Sequence, residues 1–148
     1  MSECHFNLIN DSGANLDEKR LRRCAEVVCA GERAQGECEI NLQICTDGEM
    51  RQYNRLYRGD DSITDVLAFS AEDENLIKPG DGSLPCDIII DINQLDRQKG
   101  TNKLEDELME VFIHGLLHAF GYDHIRRQDR NIMEEKEIAY KQIMGGTK

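Results

Sequence analysis

The feature that most constrains the fold of this chain is a cluster of histidines between residues 114 and 124. Three of the four histidines in the sequence lie there. His114 and His118 are four residues apart, so both side chains project from one face if the segment is an α-helix. Gly121 favours a helix end, because glycine readily adopts the backbone conformation found there. We therefore predict a helix that ends in a turn and brings His124 towards the first two histidines.

The spacing of these histidines is typical of a metal site. Neutral imidazole nitrogens suit a divalent transition metal, most simply zinc, and three protein ligands leave one tetrahedral position open for water. The sequence therefore predicts one Zn²⁺ per chain, bound by His114, His118 and His124, and metal-activated hydrolysis. A structural zinc site completed by a cysteine from a distant strand is one alternative, and three unrelated histidines are the other.

The residues around the first histidine limit which hydrolytic reactions the predicted metal site could catalyse. Zinc peptidases carry a glutamate base directly after that histidine, whereas here the position is Gly115. Glu107 and Glu110 lie upstream on the same predicted helix face as the histidines. Glu107 is predicted to receive a histidine N–H or to anchor a neighbouring segment, the alternative being a solvated acidic helix start. Asp123 is predicted to orient the ligand loop, or is a polar turn residue.

Composition favours one globular domain spanning residues 1–148. The chain is 39% hydrophobic and 32% charged, and its length is sufficient for a core of its own. Its apolar runs are too short to cross a bilayer, and its first residues lack the features of a secretory signal. We therefore expect a cytoplasmic protein without a membrane partner. The six cysteines include no C-x-x-C pair and are interpreted as reduced core thiols.

Local periodicity predicts a mixture of strands and helices. Apolar and polar residues alternate from Cys38 to Ile44, as in a half-buried strand. The predicted strands are Cys4–Ile9, Cys38–Ile44, Val66–Ser70 and Cys86–Ile92. The predicted helices are Asp17–Ala30, Asp47–Leu56 (capped by Asp47), Ile92–Lys99, Leu104–Phe120 and Arg126–Met144. This order predicts an α+β (mixed α/β) domain with an approximately four-stranded mixed sheet packed by helices. The metal-bearing helix and its turn would make the arrangement zincin-like.

The histidine motif and three further segments resemble one known family. Residues 114–124 read His-Gly-Leu-Leu-His-Ala-Phe-Gly-Tyr-Asp-His and resemble the signature of the YbeY family, bacterial rRNA maturation factors and single-strand endoribonucleases. Residues 54–58, 64–69 and 87–90 agree with the family in matching order, and Glu107 matches a family preference. The chain departs from the family pattern at Ile63, Ala68 and Cys86, where proline, serine and glycine are usual. None of these is a predicted ligand.

The resemblance implies a function in ribosome maturation. It implies a zinc-dependent, single-strand-specific endoribonuclease that acts in 16S rRNA 3′-end maturation and in 30S subunit quality control. The implied partners are the 3′ region of the 16S precursor, small-subunit ribosomal proteins and ribosome-associated GTPases. Arg58 corresponds to an arginine expected in the family's cleft, so Arg58 and His114 are the implied catalytic residues.

The chemistry of Arg58 supports a role in binding phosphate. A guanidinium group binds a phosphodiester and stabilises the charge that builds during its cleavage. Arg51, Arg55 and Arg58 fall close to one helix face, which predicts a local basic groove. The groove matters because a net charge of −11 argues against nonspecific binding of nucleic acid by the whole surface. The alternative is that Arg58 pairs with Asp60 or Asp61.

Three functional hypotheses follow from these residues. The first is metal-assisted RNA cleavage, with water or the RNA 2′-OH as nucleophile, because the motif contains no obvious general base. The second is a metalloprotease, which the histidine pair supports and Gly115 opposes. The third is a non-catalytic ribosome assembly factor in which zinc only stabilises the turn.

Overall fold

The elements predicted from the sequence are all present. A computed structural model of the protein describes residues 2–32, 36–59, 64–69, 84–122 and 127–145. The elements in those ranges are β1 (Ser2–Asn10), α1 (Glu18–Glu32), β2 (Gly36–Cys45), α2 (Asp47–Arg58), β3 (Val66–Phe69), β4 (Leu84–Asp91), α3 (Ile92–Gln98), α4 (Leu104–Ala119) and α5 (Arg127–Gly145). Their ends differ from the predicted ends by at most two residues. None of the helices in these ranges is long and apolar enough to span a membrane.

The strands form one mixed sheet with the order β1-β2-β4-β3. β1 pairs in parallel with β2, and β2 pairs in parallel with β4, whereas β3 pairs antiparallel with β4. A parallel pair needs a crossover connection, and α1 provides it between β1 and β2. The predicted α+β fold with a four-stranded mixed sheet is confirmed. The zincin-like detail stays a prediction.

The alternation of side chains gives the sheet two unequal faces. The main core lies on the face that packs against α1 and α4, and α5 packs on these two helices and completes the core. The buried strand residues on this core face are Phe6, Cys38, Ile40, Leu42, Ile44, Cys86, Ile88 and Ile90. On the opposite face, which we call the α2 face, Met50 of α2 packs with Leu67 and Ile89. Asn7 on the same face is exposed, so α2 covers this side of the sheet only in part.

All six cysteines carry free thiols, as predicted. Five of them are buried and Cys4 is half-buried. Burial raises the pKa of Cys4, Cys24 and Cys45 to about 12. These thiols therefore remain protonated at neutral pH and are neither reactive nucleophiles nor preformed thiolate ligands.

Hydrogen bonds with α3 stabilise the start of α2. The residue that precedes the helix is Thr46, and Asp47 is the first helical residue, so the prediction that Asp47 caps α2 is wrong. Its carboxylate instead accepts two hydrogen bonds of 2.8 Å from the Arg97 guanidinium. Its backbone N–H donates to the Asn93 side-chain oxygen at 3.0 Å. These bonds connect the first turn of α2 to α3.

Candidate functional site

α4 carries the predicted histidine pair near its C-terminal end. His114 and His118 are both half-buried, and their ring centroids lie 5.2 Å apart with the rings nearly perpendicular, at 81°. The helix forms because its apolar residues cover a wide stripe that packs on the sheet, while acidic residues occupy its first turn and suit the helix dipole. Two imidazoles at this separation can share one metal ion.

Gly115 allows α4 to lie close to the sheet beside the histidines. A Cβ atom at this position would lie 3.1 Å from Cγ2 of Val66 and 3.2 Å from Cγ2 of Ile88. The position that holds the glutamate base in zinc peptidases therefore faces aliphatic side chains of the buried core, where a carboxylate would lack hydrogen-bond partners. The packing of Gly115 adds a structural argument against the peptidase hypothesis.

A carboxylate of α5 holds the first histidine of the pair. Nδ1 of His114 lies 2.9 Å from Oε1 of Glu137. Because an ionised carboxylate can only accept, we assign the proton to Nδ1, which leaves Nε2 with the lone pair that a metal requires. The hydrogen bond with Glu137 raises the pKa of His114 above its ordinary value, although burial opposes the shift. Glu137 is not predictable from the sequence, because nothing in the spacing relates it to the motif.

The two acidic residues upstream on α4 have partners on other helices. Glu107 accepts a hydrogen bond of 3.0 Å from the Gln98 side chain, and the same amide donates to Asp65 at 3.2 Å. Glu110 forms an ion pair with Lys141 of α5. Glu107 therefore anchors a neighbouring segment, which is the second of its two predicted roles. Through Gln98 it connects α4 with α3 and with the residues that precede β3.

Backbone hydrogen bonds close the turn that follows α4. Gly121 has φ +104°, and its N–H donates to the carbonyl of His118 at 3.0 Å. The N–H of Tyr122 donates to the carbonyl of Leu117, also at 3.0 Å. The predicted helix end at Gly121 is confirmed.

The third predicted ligand follows this turn directly. His124 and its neighbour Asp123 lie outside the described residues, as do Asp60 and Asp61, the alternative partners of Arg58. Within the described ranges, no three side chains of the His, Cys, Asp and Glu types are grouped to hold a metal ion. The three-histidine zinc site therefore stays a prediction, of which the structure describes the first two residues.

The buried carboxylate of Glu32 binds the last described residue of the turn that follows α4. The hydroxyl of Tyr122 donates to Glu32 of α1 at 2.6 Å, and Tyr140 of α5 also donates to Glu32. Lys136 Nζ lies 3.3 Å from the Glu32 carboxylate, whose side chain is only 6% exposed. Burial alone would raise the pKa of Glu32, but the two tyrosine hydrogen bonds and Lys136 outweigh it, so the pKa is lowered. This Glu32 cluster joins α1, α5 and the turn next to the predicted third ligand.

The predicted arginines lie on one side of α2. Arg51 and Arg55 are exposed one turn apart, and Arg58 is the last residue of the helix, with its side chain outside the described part. At 3.6 residues per turn, the three positions share a side adjacent to the one that faces the sheet. α2 packs on β4 and α3, and α4 packs on both of these elements too. β4 and α3 thus connect the arginine helix with the histidine helix.

Comparisons with known proteins agree with this fold and identify the family. The chain is an α+β protein with a histidine pair on a helix that packs against a mixed sheet. The family model for Endoribonuclease YbeY matches residues 7–145, and the chain belongs to the YbeY endoribonuclease family. The resemblance inferred from the histidine motif is therefore confirmed.

Individual relatives cover most of the chain. An Endoribonuclease YbeY of Moorella thermoacetica is 36% identical over 126 residues, which is 80% of this chain and 81% of the relative. That of Francisella tularensis subsp. novicida is 34% identical over 149 residues, which is 93% of this chain and 87% of the relative. The solution structure of TM1509 from Thermotoga maritima matches with a TM-score of 0.61 at 26% identity, covering 99% of this chain and 91% of that one.

Proposed function

We propose that this chain is a zinc-dependent, single-strand-specific endoribonuclease that acts in 16S rRNA 3′-end maturation and in 30S subunit quality control. The family to which the chain belongs supports the endoribonuclease class. The observation that carries the metal dependence is the His114–His118 pair, with its rings 5.2 Å apart and Glu137 hydrogen-bonded to the first ring. Both histidines lie within the motif that also contains His124.

The residues of the motif suit a zinc ion. Glu137 holds His114 in the tautomer that leaves Nε2 for a metal. His118 lies one turn further along, and His124 completes a set of three neutral nitrogen ligands, which leaves one position open. When bound, zinc would polarise a phosphate oxygen and lower the pKa of water near the scissile bond.

Other residues of the chain bind the RNA. Arg58 holds the scissile phosphate through its guanidinium and offsets the negative charge that builds as the phosphodiester is cleaved. Arg51 and Arg55 extend this basic surface along the exposed side of α2. A local basic surface attracts the RNA backbone even though the net charge of the chain is −11, because screening limits the influence of distant acidic residues.

The proposed setting is the cytoplasmic ribosome assembly pathway. The proposed substrate is the 3′ region of the 16S precursor, and the proposed partners are small-subunit ribosomal proteins and ribosome-associated GTPases. The metalloprotease hypothesis is disfavoured by the buried position of Gly115 against Val66 and Ile88. A non-catalytic assembly factor stays the competing hypothesis.

Metal content and cleavage by the wild-type protein test this proposal. We expect one zinc ion per chain and cleavage of a single-stranded 16S 3′ precursor, with a duplex of the same sequence left intact. Cleavage should stop when a chelator removes the metal and return when zinc is added. A zinc-loaded preparation that is free of contaminating RNases and does not cleave, alone or with small-subunit particles, would contradict the enzyme and favour the assembly factor.

Replacing Glu137 with glutamine is expected to weaken zinc binding by about 10- to 100-fold, because the carboxylate orients His114 and strengthens its donor nitrogen. Competition with a chromophoric chelator measures this affinity. Glu134→Gln removes the same charge from an exposed position of α5 and should leave the affinity unchanged. Equal zinc affinities in the two variants would show that Glu137 does not support the ligand.

A further inference from the structure

A cavity of about 280 Å³ opens on the α2 face of the sheet. Its lining includes polar side chains from the first, second and fourth strands and aromatic side chains from α2 and β3. The residues that matter here are Asn7, Asn41, Asp87, Tyr53, Tyr57 and Phe69. The volume is near the lower end of the range for ligand pockets, about 300 Å³. A cavity of this volume admits only a small ligand group.

A polar row crosses the sheet at the floor of this cavity. The strand register aligns Asn7 with Asn41, Asn41 with Asp87, and Asp87 with Phe69. Asn7 Nδ2 donates to Asn41 Oδ1 at 3.0 Å, and Asn41 Nδ2 donates to Asp87 Oδ1 at 2.8 Å. Because a carboxylate can only accept, Asn41 must turn its NH₂ group to Asp87 and its oxygen to Asn7, and Asn7 in turn donates to that oxygen. The bond from Asn41 uses Oδ1 of Asp87, and Oδ2 is the second acceptor atom of this carboxylate.

Aromatic rings form the wall beside Asp87. The Tyr57 ring centroid lies 4.8 Å from that of Phe69 and 6.5 Å from that of Tyr53. The hydroxyl of Tyr53 accepts a hydrogen bond of 2.8 Å from Gln43, which fixes its ring. Tyr57 is 36% exposed and Phe69 is half-buried. Partly exposed aromatic rings next to hydrogen-bonding side chains are the means by which proteins hold unpaired RNA bases.

We propose that this cavity binds one unpaired guanine base of an RNA strand. Guanine presents two adjacent N–H donors, N1–H and N2–H, on its Watson–Crick edge, and a carboxylate offers two adjacent acceptor oxygens. The base packs against Tyr57 and Phe69 while its edge donates to Asp87. The negative charge of Asp87 repels phosphate, so the base and not the backbone enters the cavity.

The cavity and the histidine pair lie on opposite faces of the sheet. α4 packs on the core face through Val66 and Ile88, whereas the cavity lies on the α2 face. The bound guanine therefore belongs to a nucleotide that flanks the scissile phosphate, which Arg58, the residue after Tyr57 on α2, is proposed to hold. This inference rests on the proposed action on RNA and adds a base preference to it.

Binding of short oligonucleotides tests the preference. The probes are fluorescently labelled single-stranded oligouridylates with a central guanosine, adenosine, cytidine or uridine, and fluorescence anisotropy gives their affinities. We expect the guanosine probe to bind wild type about 10-fold more tightly than the other three, the discrimination typical of one bidentate contact. Asp87→Asn should remove the preference. Asp96→Asn, which removes an exposed carboxylate of α3, should retain it.

A second measurement uses wild type alone and does not depend on the folding of a variant. In a titration with guanosine monophosphate, the side-chain amide signals of Asn7 and Asn41 should shift and saturate, and adenosine monophosphate should leave them in place. Equal affinity for the four probes, or no shift at these amides, would overturn the guanine site. Wild type that cleaves RNA without a guanine preference would overturn it and leave the proposed function standing. Guanine preference retained in a His118→Ala protein that no longer cleaves would support it independently.

Discussion

Replacing His118 with alanine is expected to abolish stoichiometric zinc binding and to reduce RNA cleavage by more than about 100-fold. The substitution removes one of the three proposed ligands, a larger loss than the 10- to 100-fold that supporting residues typically contribute. The fold should persist, because His118 is half-buried and the core residues of α4 are unchanged. Metal analysis, cleavage of the 16S precursor and thermal unfolding of the same preparation measure the three quantities.

The matched control for this variant is His5→Ala. His5 lies on β1 with an exposed side chain, and its removal should leave zinc content and cleavage at wild-type levels. Full cleavage by a folded His118→Ala protein would contradict the metal mechanism. Loss of folding in His118→Ala, with no cleavage by zinc-loaded wild type, would instead indicate a metal that only stabilises the turn.

Replacing Glu32 with glutamine is expected to lower the free energy of unfolding by about 2 kcal/mol at neutral pH, the contribution of hydrogen bonds to a buried charged group. The carboxylate accepts from Tyr122 and Tyr140 and contacts Lys136, so the substitution weakens several bonds at once. Urea unfolding measures the change. Glu26→Gln, at an exposed position of the same helix, should change stability by much less, and an equal effect would contradict the role of the Glu32 cluster.

The stability that Glu32 contributes should depend on pH. Its pKa in the folded protein lies below the ordinary value of 4.5, so the unfolded chain takes up the proton first as the pH falls. The contribution is therefore complete above the ordinary pKa and is lost as the pH falls through the lower value of the folded state. The difference in free energy of unfolding between wild type and Glu32→Gln should be constant near neutral pH and shrink as the pH falls below the ordinary pKa of 4.5. If the difference in free energy of unfolding persisted in strong acid, the charge of the Glu32 carboxylate would not be its cause.

The local elements of the fold could be predicted, but their pairing could not. The alternation from Cys38 to Ile44 identifies β2 because a half-buried strand buries every second side chain. The same alternation suits a parallel or an antiparallel neighbour. The antiparallel pairing of β3 with β4 at the edge of the sheet therefore depends on tertiary packing, and no local sequence pattern indicates it.

In the candidate site, too, local features could be predicted from the sequence but contacts between elements could not. His114 and His118 could be paired from the sequence because one helix carries both. Glu137 could not be assigned to His114, since exposed acidic residues such as Glu134 and Glu135 precede it on α5 with the same local pattern. The bond between Glu32 and Tyr122 joins residues 90 positions apart. Contacts of this kind depend on how helices pack, and the polar row on the α2 face depends on strand register.

The buried thiols can report local unfolding of the core. Cys24 and Cys29 lie on α1, Cys38 and Cys45 on β2, and Cys86 on β4. A thiol-reactive reagent modifies a buried cysteine only when its surroundings open, so the modification rate of each cysteine under native conditions reports the opening free energy of its element. Without any substitution, mass spectrometry of the labelled chain would show whether α1 detaches from the sheet before the central strands separate.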